Sequence, residues 1–156
     1  MEEYIAKLDA IIEKHGYAVQ SVMDNPPMSY TVGLTDLRLP ELVMVGVPIP
    51  SMQAIINEAV ARMQSTQPFA PGQLRSELAN LPLRIDAVHI SQVLGRLYML
   101  IGYEKRRQRQ VTELKVLQLV WPDRHGRYPD DSDYAMPLSE QPLFRLPYLN
   151  APEGSA

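Results

Sequence analysis

The sequence predicts an α+β domain: a mixed or mainly antiparallel sheet, with a small split barrel as one form it could take, and three packed helices. Three observations predict it. Apolar residues recur with helical spacing in three windows, and five short runs carry the pattern of strands. The resulting order, α-β-β-β-α-β-α-β, is not the strict alternation of a doubly wound parallel sheet, and strands that follow one another closely imply antiparallel pairing.

Taken in order, residues 3–15 place Tyr4, Ile5, Leu8, Ile11 and Ile12 on one helical face, with Gly16 as a C-cap. "YAVQSVM" is a short strand broken by Pro26-Pro27. "MSYTVGL" alternates: Met28, Tyr30, Val32 and Leu34 face one way, Ser29, Thr31 and Gly33 the other. "ELVMVGV" is apolar on both faces, an interior strand stopped by Pro48 and Pro50. Ser51 then caps a helix to about Gln64, with the stripe Met52, Ile55, Ile56, Ala59, Val60, Met63.

Pro71-Gly72 marks a turn. "LPLRIDAVHI" alternates as a half-buried strand with His89 on its inward face. Ser91 caps a further helix bearing Val93, Leu94, Leu97, Tyr98 and Ile101, ending at Gly102. "LKVLQLVW" is a two-faced strand halted by Pro122; within it, Gln118 needs buried hydrogen-bond partners and is placed to tie the strand to a loop. The rest is loop-rich, with a short element near Leu143–Leu146. The expected organisation is one domain over 1–149 and a flexible tail over 150–156.

Composition narrows the function. Net charge is −3 without basic excess, which argues against a dedicated nucleic-acid or membrane-surface binder. Cysteine is absent, which excludes disulfides and thiolate chemistry and fits a reducing cytosol. The amphipathic, acidic "MEEYIAKLDAIIEKHG" is not a signal peptide, and no window matches a spanning helix. A cytoplasmic protein is the expectation.

No nucleophile elbow, metal-ligand spacing or phosphate loop is present, so neither catalytic residues nor metal ligands are expected. His15 reads as a helix-end cation and His89 as a hydrogen-bonded core edge. The basic stretch from Lys105 to Arg109 reads as a solvated face.

Two constellations remain. On the second strand, Tyr30 and Thr31 precede Gly33, where small residues leave room for a ligand or another backbone. After the last strand, "WPDRHGRY" gathers Trp121, Asp123, Arg124, His125 and Tyr128. Pro122, Asp123 and Gly126 there also spell a turn, with Asp123 as the Asx residue and Gly126 at positive φ. Turn grammar leaves Trp121 and His125 unexplained.

"HGYAVQSV", "YTVGLTDLRLPELVMVGVP" and "LQLVWPDRHGRYP" together resemble the signature blocks of a bacterial family, domain of unknown function 4262, from residue 11 to about 142. The resemblance implies no activity. Asp130 stands where the family pattern often has tryptophan, so a pocket shaped by that tryptophan is not implied here. The Thr31–Leu34 strand, Pro40-Glu41-Leu42 and the following helix are also similar to the opening of flavin-reductase-type split barrels. That likeness implies flavin mononucleotide held by the Tyr30–Gly33 strand, with His125 near the ring.

The leading expectation is a non-catalytic module that binds an unidentified protein or small molecule through Tyr30, Thr31, Trp121, Asp123, Arg124, His125 and Tyr128. The alternative is the flavin-binding oxidoreductase. A homo-oligomer is compatible with either.

Overall fold

The computed structural model describes residues 1–148; the expected tail at 150–156 lies outside the described residues. Helix α1 (Glu2–His15) leads to strands β1 (Ala18–Val22), β2 (Met28–Val32) and β3 (Glu41–Val45), then α2 (Ile49–Ser65). Strands β4 (Leu74–Arg75) and β5 (Leu83–Ala87), helices α3 (Ile90–Arg96) and α4 (Tyr98–Arg106), and strand β6 (Val116–Val120) complete the regular elements, with short 3₁₀ turns between them. Among the described residues no helix is long and apolar enough to cross a membrane.

The fold is α+β, and its sheet is mixed, in the order β1-β2-β3-β6-β5-β4. Every neighbouring pair is antiparallel except β3 with β6, where Glu41 lies beside Val116 and Val43 beside Gln118. The sheet is open, which corrects the split-barrel possibility. The reason is coverage: β2, β3 and β6 are buried on both faces, so the sheet has helices or loops to pack on either side and no need to close on itself.

On one face, Tyr30, Val32, Val43 and Val45 pack with Leu8 and Ile12 of α1 and with Val93, Leu97 and Leu100 from the α3–α4 segment. On the other, Leu42, Met44, Leu117 and Leu119 meet Met52, Ile56, Ala59, Val60 and Met63 of α2. These are the residues whose 3.6- and 2-residue periodicities mark the elements in the sequence. Each fully buried aliphatic side chain of this kind contributes roughly 1.5–3 kcal/mol by leaving water.

Four local expectations need correction. Among the described residues there are four helices, not three: the single stripe across Val93 to Ile101 is divided at Leu97, whose φ of −97° and ψ of 59° interrupt the helix between α3 and α4. Helix α2 begins at Ile49 rather than after Ser51, because a proline in the first turn has no amide that the helix would use. His89 is exposed and caps α3, accepting the Ser91 N–H at 3.1 Å, because the strand ends at Ala87 while the alternation continues past it. No regular element forms at Leu143–Leu146; the 3₁₀ turn of that region is Leu138–Glu140.

Residues 141–148 form a strap without regular structure, tied to β6 and to the N-terminal turn of α3. Gln118, fully buried, donates to the Pro142 carbonyl at 3.0 Å and accepts the Phe144 N–H at 2.8 Å, the tie between strand and loop that a buried glutamine needs. Gln141 accepts the Trp121 N–H and donates to the Trp121 carbonyl, both near 2.9 Å. His89 N–H donates to the Phe144 carbonyl, Gln92 donates to Leu146, and the Ser91 hydroxyl accepts the Tyr148 N–H. The Arg96 guanidinium lies 4.8 Å from the centre of the Phe144 ring and 4.5 Å from that of Tyr148.

Candidate functional site

The structure does not bring the sequence-selected residues onto one face. Tyr30 and Thr31 are adjacent on β2, so their side chains leave opposite sides of the sheet. Tyr30 is buried among α1, α3 and α4, and its hydroxyl accepts the Met99 N–H at 3.0 Å. Burial pushes its phenol up to about 12. Tyr30→Phe removes this acceptor and is expected to cost about 1 kcal/mol in urea denaturation. Thr31 donates to Glu41 Oε1 at 2.7 Å and accepts the Leu42 N–H at 2.9 Å.

The other five residues sit where β3 and β6 end. The Trp121 indole N–H donates to the Val45 carbonyl at 2.8 Å, joining those two strand ends. Asp123 is buried and accepts the N–H groups of His125, Arg127 and Ala135, while its own N–H donates to the Arg127 carbonyl. Burial alone would raise its carboxyl, but these three donors, with Arg127 beside them, hold it below the ordinary carboxylate range. Gly126, at φ 79°, completes the turn. Tyr128 donates its hydroxyl to the Pro82 carbonyl, and Arg84 lies over its ring at 4.9 Å. Of the five, Arg124 and His125 are exposed and Trp121 and Tyr128 half-buried, with Arg124 Nε 3.2 Å from His125 Nε2.

At the opposite end, where β3 and β6 begin, lies a groove of about 730 Å³. Leu39 and Pro40, Phe69 and Pro71, Val88, and Leu114 give it mainly apolar walls; Thr35, Arg38, Glu113 and Lys115 are its polar lining. A smaller hollow of about 350 Å³ shares Thr35, Glu113 and Leu114, and adds Glu104, Gln108 and Arg109.

Behind Thr35 stands Glu41, with no solvent exposure. Its Oε1 accepts from the Thr31 hydroxyl and the Leu34 N–H, and its Oε2 from the Thr35 N–H and hydroxyl, at 2.6–3.2 Å. Burial pushes this carboxyl up to about 7, against the pull of all four donors. Glu41 opens the run "ELVMVGV", whose apolar residues mark the strand but say nothing of a site. The signal was available: a carboxylate in a strand buried on both faces must find donors, as Gln118 must find partners.

The basic stretch is largely neutralised within the chain. Arg106 pairs with Asp9 and Arg107 with Asp36, while Arg109 lies between Asp36 and the buried Glu104.

Fold and groove together define an open-sheet α+β domain with a groove at the start of its parallel strand pair. The chain belongs to the family described as Domain of unknown function (DUF4262), whose model matches residues 11–135. No curated protein and no solved structure matches the chain.

Proposed function

We propose that this domain is a non-catalytic cytoplasmic binding module, and that it holds a small molecule in the groove where β3 and β6 begin. The groove itself carries this reading. Its volume falls within the roughly 300–1,000 Å³ of ligand sites, and its apolar walls carry a few polar groups, the usual composition of such sites. A concave, walled site favours a small molecule over a flat protein surface. The lack of cysteine fits a reducing compartment.

Binding is favoured over chemistry by the state of Glu41. Thr35 lines the groove and donates to it, which resembles a hydroxyl and its base. Each oxygen of Glu41 already accepts two hydrogen bonds, however, including two backbone N–H groups. A base so enclosed holds the turn together and has no free position for a substrate proton.

The test is a ¹H–¹⁵N NMR titration with 4-phenylbutan-1-ol, a neutral apolar probe. Saturable shifts are expected at the amides of Leu39, Phe69, Val88 and Leu114. Ala87→Trp, which places a large ring at an exposed lining position, is expected to abolish them while leaving circular dichroism unchanged. If the probe moves none of these amides, the reading fails.

A further inference from the structure

We infer that the groove selects apolar carboxylates: molecules with an aliphatic or aromatic body and one acidic head. This rests on the groove being the binding site, and adds the class of ligand.

Charge at the groove's rim carries the inference. Arg38 and Lys115 both line the groove, both are exposed, and neither forms an ion pair among the described residues. Most other arginines of the chain, Arg84 and Arg109 among them, have carboxylate partners. A third cation, Arg75, lies 4.4 Å over the ring of Phe69 in the groove wall, and its guanidinium is held by the neutral amide oxygen of Gln73. Glu113 is the one carboxylate in the lining, and Glu41 is sealed behind Thr35 by its four donors. A net negative chain thus leaves excess positive charge around an apolar hollow, which is the complement of an amphipathic anion.

The backbone fixes where Arg38 stands. Its φ is 61°, in the left-handed region that glycine and asparagine occupy at least cost. Arg38 is the C-cap of the 3₁₀ turn Leu34–Leu37, its N–H bonded to the Leu34 and Thr35 carbonyls, so the turn itself holds this exposed cation at the groove's edge.

Three probes with one body separate head-group choice from burial: 4-phenylbutyrate, 4-phenylbutan-1-ol and 4-phenylbutylamine. The carboxylate is expected to bind at least tenfold more tightly than the alcohol, and the amine more weakly than either. Arg38→Gly with Lys115→Gln removes both cations, and glycine relieves the left-handed backbone, so the fold is kept. In that variant the carboxylate should fall to the affinity of the alcohol, with the alcohol unchanged. If carboxylate and alcohol bind the wild type equally at the groove, or the amine binds best, the carboxylate inference falls while the groove stands as a binding site. If none of the three binds there, the groove reading falls with it.

Discussion

Glu41→Leu is expected to destabilise the fold by about 3 kcal/mol at pH 8, and by about 3 kcal/mol more as the pH falls to 4.5. The first part comes from the donors that lose their acceptor. The Thr31 and Thr35 hydroxyls can rotate, but the N–H groups of Leu34 and Thr35 are fixed by the turn, and a buried donor without an acceptor costs about 1–3 kcal/mol. The second part comes from proton linkage. In the unfolded chain the carboxyl titrates at an ordinary 4.5; in the fold, burial raises it to about 7. Between these values the folded state binds a proton that the unfolded state has released, so this group's contribution to stability is fully present below 4.5 and is lost as the pH rises through about 7. At roughly 1.4 kcal/mol per unit, the window is worth about 3 kcal/mol. Urea denaturation of both proteins across pH 4.5–8 measures it. A gap between wild type and variant that does not change with pH would show that the fold does not shift this carboxyl.

Gly46→Ala is expected to cost about 4 kcal/mol and to disturb Trp121. At φ 89°, Gly46 occupies a conformation in which any other residue pays about 1–2 kcal/mol. A Cβ there would stand 2.2 Å from the Glu140 carbonyl oxygen and 3.2 Å from Trp121 Cζ2. Glu140 is backbone and cannot swing away as a side chain would. Its displacement drags Gln141, whose amide makes both hydrogen bonds to the Trp121 backbone, each worth about 1 kcal/mol. Trp121 is the only tryptophan, so native-state emission reports the change directly: a red shift is expected along with the lowered urea midpoint. Unchanged emission with a cost under about 1 kcal/mol would mean that the strap moves aside freely.

Elements built on periodicity were legible in the sequence. Helix α2 announces itself through Met52, Ile56, Ala59, Val60 and Met63, all of which are buried, and β3 and β6 through apolarity on both faces. Pro122, Asp123 and Gly126 spell a turn, and a turn is what they make. What periodicity cannot state is where a pattern stops. The alternation through Ile85 and Ala87 runs on to His89 without a break, although the strand ends at Ala87 and His89 turns outward as a cap. The groove was illegible for a different reason: Arg38, Phe69, Val88 and Lys115 come from four separated segments, and β6 brings three of them together by pairing parallel with β3 and antiparallel with β5. Trp121 is a residue the turn does not need; its indole pins two strand ends together.

The strap at 141–148 has a consequence for how the sequence can drift. A strand added to a sheet edge is held by backbone on both sides and is indifferent to most substitutions in either. This segment is held mainly through its own backbone by side chains of the body: Gln118, Ser91 and Gln92 reach the main chain of Pro142, Phe144, Leu146 and Tyr148. Tolerance is therefore uneven. Exposed strap positions such as Leu146 and Pro147 can vary while these anchors persist, whereas a single glutamine-to-leucine exchange in β6 removes two attachment points on the strap at once. Selection to keep the strap in place acts on residues 118 and 91–92 more than on most of the strap itself.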